Sequence, residues 1–206
     1  MSLSLRGGTN GLNVWRINAD GSEPLRISFG DEDFPPFCSV DHKLVYYMGM
    51  LSNKVYRMPL DGSAKPEPVL SWPTGYTADL GVNQGVGLSP DGKTLVAALR
   101  NKRDDSIHLA FFDVASSALM KMLDVKDIVS GIQYAPDGKG IVYGLRRNGA
   151  DNLWLQPLNG SAGHFITRFK YGQLWSFRLS PDGKKLAILR GETDSDVVLL
   201  RDTTQR

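Results

Sequence analysis

The chain has 206 residues, of which 41% are hydrophobic and 22% are charged, and its formal net charge is +2. This length and composition suit a single domain with a sizeable core. No apolar stretch approaches the roughly 18 residues that a membrane span needs, so we expect no direct membrane insertion, and no signal peptide is visible in this chain. The basic residues are scattered, which argues against nucleic acid as a partner, and a single cysteine excludes an intrachain disulfide.

A Ser-Pro-Asp-Gly-Lys motif recurs roughly every 45 to 50 residues and predicts a tight turn each time. Proline presets φ, aspartate bonds nearby backbone groups, and glycine accepts a positive φ. The copies are Ser39-Val40-Asp41-His42-Lys43, Ser89-Pro90-Asp91-Gly92-Lys93, Ala135-Pro136-Asp137-Gly138-Lys139 and Ser180-Pro181-Asp182-Gly183-Lys184. The first copy lacks both the proline and the glycine, so we expect its turn to differ in shape.

A second motif alternates with the first and places an aromatic residue in an apolar run before Asp-Gly or Asn-Gly. Such pairs favour tight hairpins. Clear copies begin at Asn13, Lys54 and Asn152, and degenerate ones begin at Ile107 and Val197. The runs between the turns are rich in Val, Ile, Leu, Tyr and Trp, which predicts strands. No stretch is a convincing amphipathic helix, the nearest being residues 116–125.

In chain order, the motifs divide one domain of residues 1–206 into repeating units. The predicted units are 11–30 (partial), 33–70, 84–123, 130–168 and 175–202. A full unit has four antiparallel strands, a to d, with the first motif between a and b and the second on c. This pattern is typical of a propeller blade. We therefore predict an all-β chain, a β-propeller of four-stranded antiparallel blades, with about four to five blades in this chain.

The unit boundaries leave the closure of the propeller open. The first c strand has no a–b hairpin before it, and the last has no d strand after it. Either the chain is part of a larger propeller, or a strand near residues 24–27 completes the last blade. A homodimer that completes a larger propeller is a further hypothesis, because unpaired sheet edges favour association.

The two interleaved motifs resemble the TolB-type, WD-like propeller repeat over about residues 11–202. This resemblance implies a periplasmic or otherwise extracytoplasmic setting and a bacterial, envelope-associated binding protein. The repeats are also similar to the C-terminal sensor halves of some bacterial membrane-anchored Ser/Thr kinases and winged-helix regulators, and the tail from Asp194 to Arg201 fits that group.

Strand a lines the central channel of a propeller, so its polar residues are candidate ligand contacts. Aligning the turns gives one apolar set that packs between blades and one set, Phe37, Gly87, Gln133 and Arg178, that we predict to face the channel. Gln84 and Trp175 lie upstream, toward one rim. The candidate binding residues are Gln84, Gln133, Trp175 and Arg178, and the alternative is that they only fill a wet channel. Trp15, Tyr56 and Trp154 share one phase of strand c, which indicates core packing more than an aromatic cage.

No catalytic motif is recognisable. The chain has no Gly-x-Ser-x-Gly elbow, phosphate-binding loop or dinucleotide fingerprint. His42, His108 and His164 lack metal-ligand spacing, so we expect no enzyme activity, metal or cofactor. The leading hypothesis is a non-catalytic binding or scaffold module that presents loops and a central channel to a protein or peptide. The alternatives are an extracytoplasmic sensor propeller severed from a Ser/Thr kinase or transcriptional regulator, and an accessory propeller of a peptidase.

Overall fold

The computed structural model describes residues 2–6, 11–79 and 85–194, with backbone alone for residues 2–6. All regular elements in these ranges are β-strands, arranged in five antiparallel sheets that follow one another along the chain. Sheet 1 contains β1 (Ser2–Arg6), β2 (Leu12–Arg16) and β3 (Leu25–Arg26). Sheet 2 contains β4 (Asp33–Cys38), β5 (Leu44–Gly49), β6 (Lys54–Pro59) and β7 (Glu67–Ser71).

The remaining sheets repeat the same order of strands. Sheet 3 contains β8 (Tyr76–Ala78), β9 (Val86–Leu88), β10 (Thr94–Asn101), β11 (Ile107–Asp113) and β12 (Leu119–Val125). Sheet 4 contains β13 (Ile128–Tyr134), β14 (Gly140–Arg147), β15 (Ala150–Pro157) and β16 (His164–Phe165). Sheet 5 contains β17 (Gln173–Leu179) and β18 (Leu186–Gly191). In sheet 3, β8 and β9 both pair with β10 and together take the place of strand a.

This arrangement confirms the predicted all-β class and the four-stranded antiparallel blades. Two details at the beginning of the chain differ from the prediction. Ser2–Arg6 pairs with Leu12–Arg16 and supplies strand b of the first sheet, although it carries no repeat motif. Leu25–Arg26 pairs with the same strand from the other side, so it is strand d of sheet 1 and does not complete the last blade. The predicted strand near Val197 lies outside the described residues.

Buried side chains join each sheet to the next. Four separate clusters link sheets 1 and 2, 2 and 3, 3 and 4, and 4 and 5. Val14 and Tyr47 belong to the cluster between sheets 1 and 2, and Tyr46 and Leu99 to the one between sheets 2 and 3. Phe111 and Tyr143 belong to the cluster between sheets 3 and 4, and Leu153 and Phe177 to the one between sheets 4 and 5. Inner strands have consecutive buried residues, as Leu95–Leu99 shows, because a neighbouring sheet covers each face. In the described ranges no buried cluster joins sheet 5 to sheet 1, and Leu189 on sheet 5 is 58% exposed.

The turn between strands a and b has one design in sheets 2, 3 and 5. In sheet 3, Ser89 Oγ and Lys93 N donate to Asp91 Oδ1 at 2.6 and 3.1 Å, and Thr94 N donates to Ser89 Oγ at 2.9 Å. The hydrogen bond from Ser89 is the main reason that the pKa of Asp91 lies below its ordinary value. The turn of sheet 2 has the same three bonds at the same lengths. Our expectation of a different shape is therefore wrong.

The sheet 2 turn keeps this design because His42 adopts the left-handed conformation, with φ at 56°, where the other copies have glycine. A β-carbon is unfavourable there, so His42→Gly is expected to raise the free energy of unfolding by about 0.5–1 kcal/mol. Urea denaturation measures the change. The matched control is Gly92→His. Gly92 has a φ of 73°, and the space where a β-carbon would lie is open. This substitution should lower the free energy of unfolding by about 1 kcal/mol. A less stable His42→Gly variant would contradict the argument.

Candidate functional site

The first candidate residue, Gln133, joins two sheets. Its Oε1 accepts a hydrogen bond from Leu179 N at 2.9 Å, and its Nε2 donates to Leu179 O at 3.3 Å. The amide thereby bridges β13 and β17, the a strands of sheets 4 and 5. Since both polar ends of the side chain are bonded to backbone, the first role of Gln133 is structural.

Two other members of its set, Phe37 and Gly87, pack toward the next sheet, so the prediction that they face the channel is wrong. Phe37 stacks on Tyr46 with ring centroids 5.3 Å apart and packs into the cluster between sheets 2 and 3. A β-carbon on Gly87 would lie 3.2 Å from Ile132 O in sheet 4. Neighbouring a strands approach closely enough that alternate side chains on them fill the space between sheets.

Arg178 occupies the equivalent position in sheet 5, where no following sheet is described. Its side chain is exposed, yet the surrounding protein displaces enough water to lower the pKa of its guanidinium. Trp175 is 42% exposed, and its ring lies against Gly191 across the hairpin of sheet 5. These two candidates lie on sheet 5 beside Gln133, and Gln84 lies outside the described residues.

The three aromatic residues of strand c do not form one cage, which confirms the packing interpretation. Tyr56 stacks on Tyr47 at 5.6 Å in the cluster between sheets 1 and 2. Trp154 meets the edge of Phe165 at 4.9 Å and packs against the cluster between sheets 3 and 4. Tyr56 and Trp154 therefore fill two different inter-sheet spaces.

A groove of about 880 Å³ lies between sheets 1 and 2 and is here called the first groove. Apolar side chains from both sheets line it: Leu25, Phe29, Leu51, Tyr47, Tyr56 and Met58. Phe29 and Leu51 are 72% and 74% exposed. Exposed large apolar side chains beside a concave surface are typical of an interaction site. Sequence reasoning missed this groove because its lining combines residues of sheets 1 and 2 that only the fold brings together.

Charged groups surround this apolar lining. Arg26 lies over the Phe29 ring at 4.8 Å, and the exposed Asp31 and Lys65 lie on the rim. Asp33 is 4% exposed and accepts a hydrogen bond from Gly30 N at 2.8 Å. Burial, together with the charge of Asp33, raises the pKa of Tyr47, so its phenol stays protonated. The groove therefore offers apolar contact area with charges of both signs at its edges.

Two buried asparagines of the second motif shape the loops that follow strand d. The side chain of Asn13 donates to Gly30 O, and the side chain of Asn152 donates to Phe169 O at 3.1 Å. The sequence separation is 17 residues in both cases. The asparagine common to these two copies of the motif is the sequence signal for this role.

Within the described ranges, no group of three or more His, Cys, Asp or Glu side chains is placed to hold a metal ion. The same part of the chain has no helix of the length and hydropathy needed to cross a membrane.

The five sheets and their inter-sheet clusters define a β-propeller architecture, and solved structures share it. TolB from Acinetobacter baumannii is 20% identical with a TM-score of 0.73, over 95% of this chain and 48% of that one. An oligogalacturonate lyase from Vibrio parahaemolyticus is 16% identical with a TM-score of 0.67, over 88% of this chain and 53% of that one. In a nidogen/laminin complex, one chain is 12% identical with a TM-score of 0.56, over 87% of this chain and 64% of that one.

The chain spans about half the length of the first two of these structures. At these identities the likeness shows the fold alone. No protein-family model matches the chain, and no curated protein sequence matches it.

Proposed function

We propose that this chain is a non-catalytic binding module that holds an extended segment of a partner protein in the first groove. The observation that carries the proposal is the pair of exposed side chains Phe29 and Leu51 beside a groove of about 880 Å³. Pockets of several hundred Å³ with mostly apolar walls and a few placed polar groups are typical ligand sites. Apolar anchors of the partner would enter between Tyr56 and Met58, and its charged groups would meet Asp31 and Lys65.

The titratable groups of the first groove support binding more than turnover. Asp33 is committed to the backbone of Gly30, and Tyr47 stays protonated. A phenol that keeps its proton is not suited to accept another near neutral pH. The TolB-type resemblance of the repeats further supports a setting outside the cytoplasm for this module.

The test is a selection of displayed peptides on the purified chain, followed by affinity measurements on the selected peptides. Phe29→Asp is expected to weaken their binding at least tenfold, because aromatic anchors carry about 2 kcal/mol or more. The matched control is Val40→Asp, another exposed apolar residue (56%) that lies in the a–b turn of sheet 2, and it should change affinity less than about twofold. Equal binding by Phe29→Asp and the unaltered chain would refute the site.

The non-catalytic part of the proposal has its own test. A broad substrate screen would be run with Gln133→Ala and Arg178→Ala beside the unaltered chain. Turnover that disappears in both variants would show that the propeller is itself an enzyme. We expect no such turnover.

A further inference from the structure

A second groove, of about 610 Å³, lies beside the loop that follows strand d of sheet 4, as the first groove lies beside the loop that follows strand d of sheet 1. The equivalence rests on matching bonds. Leu153 N donates to Thr167 Oγ1 at 2.8 Å, and Val14 N donates to Ser28 Oγ at 2.8 Å, with a sequence separation of 14 between donor and acceptor in both cases. Together with the two asparagine bonds described above, these contacts give both grooves the same backbone frame.

The two equivalent grooves carry different charges. The loop beside the first groove contains Asp31 and Glu32, whereas the loop beside the second contains Arg168 and Lys170. Arg147 and His164 also line the second groove, and none of the residues that line it is an aspartate or glutamate. Among the ion pairs of the described residues, none involves Arg147, Arg168 or Lys170. Their charges are available to a ligand.

The loop that carries Arg168 and Lys170 has an anchored backbone. From residue 164 to residue 170, exposed and half-buried residues alternate, so that His164, Arg168 and Lys170 all project into solvent. Asn152 is 7% exposed and anchors the loop, because its Oδ1 accepts a hydrogen bond from Phe169 N at 2.6 Å. A backbone ordered before binding lowers the entropic cost of holding a ligand.

The aromatic rings of the second groove indicate which anion it suits. The guanidinium of Arg147 lies 5.6 Å from the centre of the Phe165 ring, and that of Arg190 lies 3.9 Å from the centre of the Phe169 ring. These contacts occupy ring faces on which nucleic-acid bases would otherwise stack. The cations themselves are good partners for carboxylates, and β16 is the outermost strand of its sheet, an edge where an extended chain can lie.

We propose that the second groove binds an acidic peptide segment, whose Asp and Glu side chains pair with Arg147, Arg168 and Lys170. This site is separate from the first groove in position and in charge. It therefore does not depend on the function proposed above.

The probe is a fluorescein-labelled peptide of about eight alternating Glu and Ala residues, measured by fluorescence anisotropy at about 50 mM salt. A Gln-Ala peptide of the same length is the neutral comparison. The Glu peptide should bind more tightly than the Gln peptide and lose affinity as salt rises. Arg168→Glu and Lys170→Glu should each weaken its binding about fivefold to tenfold.

The matched controls are Lys102→Glu and Arg103→Glu, in the exposed loop between β10 and β11, each expected within about twofold of the unaltered chain. If a charge reversal lowers the melting temperature, Lys170→Gln replaces it in the binding measurement, because that substitution removes the charge without reversing it. The proposal is overturned if the Gln peptide binds as tightly, if the controls weaken binding equally, or if a single-stranded oligonucleotide of the same charge binds more tightly. Phe29→Asp should leave the Glu peptide affinity unchanged, so the two sites can fail separately.

Discussion

Replacing Phe111 with alanine is expected to lower the free energy of unfolding by about 3–5 kcal/mol. Phe111 is 1% exposed and lies in the cluster that joins sheets 3 and 4, with Ile132 and Tyr143 among its members. Removing the ring leaves a cavity between two sheets whose backbones are fixed by hydrogen-bonded ladders, so the space can collapse only in part. Urea denaturation followed by tryptophan fluorescence measures the loss.

The matched control for this cavity is Phe29→Ala. Phe29 is the same residue type but 72% exposed, so its truncation should change stability by less than about 0.5 kcal/mol. If both variants lost the same amount, inter-sheet burial would not be the main source of stability in this chain.

The second large effect is expected for Asp151→Ala, at about 3 kcal/mol. Asp151 has a side chain that is 2% exposed, and its two oxygens accept bonds from Arg146 Nε at 2.7 Å and Nη2 at 3.1 Å. It also accepts a bond from Leu174 N, at 2.9 Å, at the beginning of sheet 5. The substitution leaves that buried amide without its acceptor and leaves the half-exposed guanidinium without its partner.

The measurement combines denaturation with amide hydrogen exchange. Exchange at Leu174 should speed up more than exchange in sheets 1 to 3, because the lost bond joins sheets 4 and 5. Glu67→Ala is the control, since its pair with Arg57 is exposed on both sides, at 35% and 61%, and should be worth less than about 0.5 kcal/mol. Uniform acceleration across all sheets would contradict a local role for Asp151.

The same backbone frame can support different surfaces, as the two grooves illustrate. Sheets 1 and 4 share the asparagine and hydroxyl bonds that shape the loop after strand d. The residues that these bonds present differ, with Asp31 in one loop and Lys170 in the equivalent place of the other. Buried polar contacts thus preserve the backbone geometry of the loop, while the exposed residues determine which ligand it suits.

The amino-acid sequence by itself determined the strands, the turns and their repetition, because these depend on local chemistry. Asp91 and Gly92 form a tight turn through contacts within six residues, and alternating apolar runs require a covered sheet face. Even the sheet 2 turn follows from its own serine and aspartate, with His42 taking the backbone conformation of glycine.

Only the tertiary structure decided which groups face one another across sheets. Alternation along β13 predicts only that the side chain of Gln133 lies on the opposite face of the strand from its neighbours in sequence. The proximity of β17 determines that its amide bonds to Leu179. Ser2–Arg6 becomes a strand because Leu12–Arg16 offers it an edge, and no local motif signals that. The first groove forms where sheets 1 and 2 meet, and contacts between residues distant in sequence cannot be inferred from local propensity.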